Sequence, residues 1–159
     1  MKKEGNKLLA VIRLRGRVAI SGEINDALKL MHLNKRNHAA LIKETHSNLG
    51  TLQKIKDYAT WGEVNMDALD LLLRRRGRVN GNKKLTDEYV KKNLKFKNIS
   101  ELSKAINNLK INVKNSGLKP VFRLHPPKGG FNKPIKKAYP NGQLGYRGEA
   151  INDLIEKMA

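Results

Sequence analysis

The sequence predicts a mixed α/β fold: a small sheet with helices against one face, continued by a helical, basic C-terminal extension. Three observations predict it. Apolar residues alternate with period two from Leu8 onward. Short apolar runs alternate with stretches at helical spacing as far as Val64. Beyond Glu101 come turn signals and a long basic stretch without acids.

The first strand is expected over Leu8–Arg15, with Leu8, Ala10, Ile12 and Leu14 on one face and Leu9, Val11, Arg13 and Arg15 on the other. That second face turns from apolar to cationic, and Gly16 ends the strand. Ser21 is placed to cap a helix with the inward stripe Ile24, Ala27, Leu28 and Met31. Ala39 to Lys43 suits a buried strand, Asn48 is the expected cap of a second helix with Leu49, Leu52, Ile55 and Tyr58 inward, and ATWGEV supplies a third strand or a bend at Gly62. The result is a β-α-β-α-β unit over residues 1–64, with a complete set of apolar stripes that predicts independent folding.

Residues 65–159 form the extension packed on that unit. Asn65 caps a helix with Met66, Leu69, Leu72 and Leu73 inward, ending in Arg74, Arg75 and Arg76 before Gly77. Asn80-Gly81 marks a tight turn. Thr86 and Ser100 are expected caps of two further helices, the second with Leu102, Ala105, Ile106 and Leu109 on one side. VFRLH after Pro120 predicts a strand with Phe122 and Leu124 inward, and the last helix begins near Glu149 with Ile151, Leu154, Ile155 and Met158 at helical spacing.

The charge balance points to a partner. The 159 residues contain 33 basic and 14 acidic side chains, a net charge of +19. Between Glu101 and Glu149 there are ten Lys and Arg and no acid. Such a segment repels itself and calls for a polyanion, of which nucleic acid is the foremost. Four clusters carry the signal: Arg13, Arg15 and Arg17; Lys35 and Arg36; Arg74, Arg75, Arg76, Arg78, Lys83 and Lys84; and Arg123, His125, Lys128, Gly129, Gly130, Lys133, Lys136 and Lys137, with Arg147 beyond. Each alone has an ordinary explanation as a solvated face or a helix-end charge. Jointly, without compensating acids, they favour phosphate binding through counterion release. Few aromatics are present, and Trp61 is expected to be a packing anchor, so the contact is with folded backbone shape more than with stacked bases.

Other chemistries find little support. There is no cysteine, which excludes disulfides and thiolate metal sites and fits a reducing cytosol. His32, His38, His46 and His125 lack metal-ligand spacing, so no metal is expected. No catalytic residue, cofactor or small-molecule substrate is expected either, since there is no phosphate loop and no arranged nucleophile. The apolar run Leu8–Ile12 is too short for a signal sequence and is closed by Arg13 and Arg15, and no stretch approaches a membrane span, so no membrane partner is expected. A chromatin or RNA chaperone that binds duplexes without a fixed site is the alternative, and it would show self-similar basic motifs or wedge residues.

LAVIRLRG, ALKLMHLNKRNHAALIKET and NLGTLQKIKDYATWGEV resemble the family of large-subunit ribosomal protein thirty in its archaeal form, whose eukaryotic relative is numbered seven. LLLRRRGRVNGNKKLTD, LKPVFRLHPPKGGF and GQLGYRGEAINDLIEKM extend the resemblance over nearly the whole chain. It implies a ferredoxin-like two-layer sandwich and a structural, non-enzymatic protein of the cytoplasmic ribosome. Its partners would be large-subunit ribosomal RNA, near the central protuberance and the 5S RNA, and neighbouring ribosomal proteins. Arg15, Gly16, Arg36, Gly50, Gly77, Lys83, Arg123, His125, Lys128, Gly129 and Gly130 fall on family-like positions. About seven residues precede the first strand where eukaryotic members carry a long basic arm, so that arm's contacts are not carried over.

Overall fold

A computed structural model describes residues 7–159. Residues 1–6, the start of the first module as the sequence divides the chain, lie outside the described residues. The chain orders as β1 (Leu8–Arg13), α1 (Gly22–Leu30), β2 (His38–Lys43), α2 (His46–Lys54), β3 (Ala59–Glu63) and α3 (Met66–Arg76), followed by α4 (Asp87–Tyr89) running into a wider turn over Val90–Leu94. After these come α5 (Ile99–Asn107), β4 (Val121–Arg123), β5 (Gly145–Tyr146) and α6 (Ile151–Met158).

One sheet holds all the strands in the order β4-β2-β1-β3-β5. β1 is central and antiparallel to both neighbours, with Val11 opposite Ala40 on one side and Trp61 on the other. β2 and β3 therefore run the same way with β1 between them, and α2 carries the chain across. This is the expected α/β sandwich, with α1 and α2 on one face. Leu9, Val11, Ala40, Ala59 and Trp61 pack there against Leu28, Met31, Leu33, Leu52 and Ile55. Trp61 is a packing anchor, buried among them.

The opposite face is covered as well. Leu8, Ala10, Ile12, Leu14, Ala39 and Leu41 meet Leu69, Leu72, Leu73, Leu102, Ile106, Phe122, Leu124, Ile151, Leu154, Ile155 and Met158. All six residues of β1 are consequently buried, although the sequence alternates. The extension's helical stripes lie where their spacing put them, because α3, α5 and α6 each present an apolar row to the sheet or to one another.

Several local expectations are corrected. α2 is capped by Thr45, whose hydroxyl accepts from the Asn48 amide at 3.2 Å; Asn48 lies inside the helix, and its side chain donates to the Lys43 carbonyl. Leu49, expected inward, is exposed. Asn98 caps α5 by accepting from the Glu101 amide at 2.9 Å, while Ser100 sits in the first turn and donates to Asp70. The caps at Asn65 and Thr86 are where the sequence put them. β5 lies in a stretch whose sequence predicts only turns. It pairs parallel to β3, with Gly145 opposite Thr60 and Tyr146 opposite Trp61. Gly62 makes that approach possible, since a Cβ there would fall on the Gly148 carbonyl.

Candidate nucleic-acid interface

Strand register brings three of the four basic clusters to one end of the sheet. Arg13 ends β1, His38 begins β2, Ala59 begins β3 and Arg123 ends β4, and these positions are neighbours: Ile12 faces Ala39, Arg13 faces Ala59, and His38 faces Arg123. Backbone bonds fasten the loops leaving this end. The Asn37 amide donates to the Arg13 carbonyl at 2.8 Å, the Leu124 amide to the Asn37 carbonyl at 3.0 Å, and the Leu14 amide to the Tyr58 carbonyl at 2.9 Å. Residues 14–17, 34–37 and 123–125 therefore form one rim. Ile135 of the basic loop reaches the same place, lining a shallow depression with Arg15, Gly16, Val18, Arg36 and Tyr58.

The side chains on this rim fall into two kinds. Arg13 is fully buried, against the expectation of a cationic outward face. Its Nη1 donates to the Leu33 carbonyl at 2.8 Å, its Nε to the Arg15 carbonyl at 2.8 Å and its Nη2 to the Gly16 carbonyl at 3.1 Å. It clamps the two loops that carry the exposed arginines. Arg15 is half-buried, donates to the Asp57 carbonyl at 3.0 Å and lies 5.0 Å over the Tyr58 ring. Arg17 donates twice to the Asn34 carbonyl. Lys35, Arg36, Arg123, His125, Lys128, Gly129, Gly130, Lys133, Lys136 and Lys137 are exposed. Gly129 and Gly130 both take positive φ, at 77° and 74°, a turn that only glycine adopts freely.

The fourth cluster lies elsewhere. Arg74, Arg75 and Arg76 end α3, and Arg78 pairs with Lys84 across the Asn80–Asn82 turn that presents Lys83. The Lys119 amide donates to the Arg78 carbonyl at 2.8 Å, which seats this cluster before the start of β4, whereas Arg123 ends that strand. Arg74 is the one candidate cation held by a carboxylate among the described residues, 2.7 Å from Asp70, and it also donates to Ser100 Oγ. Arg147 is buried like Arg13. The structure thus brings together the rim clusters and the basic loop, and leaves Arg13, Arg74 and Arg147 engaged within the protein.

Electrostatics follow from this layout. Burial first, then Arg123, Lys35 and Arg13, push the His38 pKa below its ordinary value, so the rim disfavours a further positive charge there. The asparagines and Tyr58 that hold the rim by backbone bonds carried no sequence signal, because their role arises from which loops the register joins. Among the described residues, no group of carboxylates or histidines is arranged to hold a metal, and no helix is long and apolar enough to cross a membrane.

Residues 9–59, spanning β1 to the start of β3, match the family model described as ribosomal protein L30p/L7e. The chain is 49% identical to large ribosomal subunit protein uL30 of Methanosphaera stadtmanae, over 95% of this chain and 99% of that protein. It is 50% identical to the uL30 of Archaeoglobus fulgidus over the same shares, and 47% identical to that of Nanoarchaeum equitans over 93% of this chain and 96% of that protein. With that identity sustained across both module and extension, the chain belongs to the ribosomal protein L30p/L7e family.

Proposed function

We propose that this chain is a structural constituent of the large ribosomal subunit of the cytoplasmic ribosome, where it binds and stabilises folded ribosomal RNA. The observation that carries the reading is the convergence of Arg15, Arg17, Lys35, Arg36, Arg123, His125 and the Lys128–Lys137 loop at one sheet end, with no carboxylate paired to any of them among the described residues. Oriented, unneutralised cations on a fixed scaffold suit a backbone of fixed shape, and phosphate contacts set position without reading sequence. Arg75, Arg78, Lys83 and Lys84 offer a second, separate phosphate contact beside the start of β4. The buried Arg13 supports the rim from beneath and makes no RNA contact of its own. Neighbouring ribosomal proteins are further partners in this reading; no catalytic role is proposed.

Sedimentation tests it. The protein should travel with large subunits at near one copy per particle. A chaperone would be substoichiometric and spread through the gradient. Reversing Lys128, Lys133, Lys136 and Lys137 to Glu should release the protein at lower salt, while replacing them with Ala should flatten the salt dependence by up to about four units of slope. A charge-reversed variant that melts normally and stays bound over the wild-type salt range removes the loop from the interface.

A further inference from the structure

The basic loop and α6 enclose a feature that the sheet-end rim leaves unused. Arg147 follows β5 and is only 8% exposed. Its Nε donates to Thr60 Oγ1 at 2.8 Å, and its Nη2 donates to the Gln143 carbonyl at 2.6 Å and to Gln143 Oε1 at 2.8 Å. The guanidinium lies 5.4 Å over the Tyr139 ring. Every one of these partners is neutral, and no carboxylate pairs with Arg147 among the described residues. Its Nη1 makes no hydrogen bond there, and it is absent from the fully enclosed unpartnered atoms, which are Asn37 Oδ1, His38 Nδ1 and Arg76 Nε. Two N–H donors of a desolvated cation are left open.

Arg147 lines a cavity of about 220 Å³ between the basic loop and α6. A water needs about 10–15 Å³ of such space, so the cavity admits a much larger group. Lys133, Lys157 and Tyr139 share the lining, with Asp153 as its one carboxylate among the described residues. The Lys133 ammonium is tied to the Pro140 carbonyl at 2.7 Å, whereas the Lys157 side chain makes no hydrogen bond among the described residues. Lys157 and Asp153 are both exposed, so they stand at the mouth and Arg147 at the floor.

We propose that this cavity takes a phosphate group of the bound RNA, with Arg147 Nη1 as the inner donor and Lys157 at the mouth. The free Nη1 donors of a guanidinium in a partly dry site match an oxyanion, and a neutral group would leave the buried charge uncompensated. The entrance adjoins the acid-free basic loop, so an RNA strand lying on that loop passes the opening. Asp153 opposes entry and sets how tightly the anion is held. The proposal rests on the reading of the chain as an RNA binder.

The test uses the whole protein with two probes: inorganic phosphate, and large ribosomal subunits washed free of this protein. In 15N-labelled protein, the Arg147 side-chain signals should move in one saturating step as inorganic phosphate is added. Lys157→Glu should weaken that step and Asp153→Asn strengthen it, both leaving the Thr60 and Gln143 bonds intact; Arg123→Glu should leave it unchanged. On washed subunits, Lys157→Glu should rebind more weakly and lower the salt slope by about 0.9. Arg147 signals that stay fixed while rim amides shift would overturn the proposal and leave the RNA reading standing. Signals that move with phosphate, combined with wild-type rebinding of Lys157→Glu, identify a free-anion site and overturn the RNA assignment. Loss of rebinding by neither the cavity variants nor the loop charge reversals would instead bring down the RNA reading itself.

Discussion

Arg13 carries a full charge without solvent and, among the described residues, without a carboxylate partner, and three carbonyl oxygens hold it. Burial, then the neighbouring Arg17, lower its pKa, yet a guanidinium stays protonated at any physiological pH. Its contribution is geometric: the Leu33, Arg15 and Gly16 carbonyls belong to the two loops that carry the rim. Arg13→Met preserves much of the volume and leaves those carbonyls without donors, so it should destabilise the fold by about 2–4 kcal/mol. Urea unfolding should show a lower midpoint at unchanged slope. Arg123→Met, at an exposed position on β4 with β2 between it and β1, should change stability within about 0.5 kcal/mol and act on subunit retention instead. Equal stability losses for the two would refute the division between clamp and contact. The sequence could not separate them. Period two assigns Arg13 and Arg15 to one face, but the depth of burial depends on Leu33–Asn37 folding back over the strand end, a contact no local pattern encodes.

Helix positions were legible wherever an apolar row recurred at helical spacing, whereas the capping residue was legible only in part, and Ser21 precedes α1 without making a side-chain cap bond. At α3 and α4 one capping residue precedes the stripe, and Asn65 and Thr86 are the caps. At α2 the stretch Thr45-His46-Ser47-Asn48 offers three polar choices, and at α5 Asn98 and Ser100 compete; in both helices the earlier residue wins by adopting extended backbone with ψ of 156° and 175°. Thr45→Ala should therefore cost about 1 kcal/mol. Asn48→Ala, which loses only an exposed bond to the Lys43 carbonyl, should cost less than half of that. Thermal melts of the two single variants decide the order, and the reverse ranking would mean that the side-chain tie to β2, rather than the cap, sets the start of α2. β5 stayed invisible for a different reason. It spans two residues, Gly145 takes φ of 80°, and its pairing is with a strand far back in the sequence. Turn-rich composition conceals a strand this short.

At the scale of the molecule, the central question is whether the first module is a folding unit. Its apolar stripes are complete in sequence, which favours independence. The structure supplies a counterweight, because β1 is buried on both faces and the second cover comes entirely from later residues. A fragment ending at Asn65 would uncover Leu8, Ala10, Ile12, Leu14, Ala39 and Leu41 together, and would leave the outer edges of β2 and β3 without β4 and β5. Each large aliphatic side chain so exposed forfeits about 1.5–3 kcal/mol of burial, and four of the six are leucine or isoleucine. That sum rivals the whole stability of a domain of this size, about 5–15 kcal/mol. The fragment should therefore melt without a cooperative transition and bind a dye specific for exposed apolar surface, whereas the full chain should unfold in one sharp step by circular dichroism. A sigmoidal melt from a fragment that sediments as a monomer would overturn this. It would show that α1 and α2 suffice to hold the sheet, and that α3, α5 and α6 act chiefly to position the basic loop. The opposite outcome makes the extension part of the core, and then the rim, the loop and the Arg147 cavity share one scaffold in which no basic cluster is placed until the whole chain has folded.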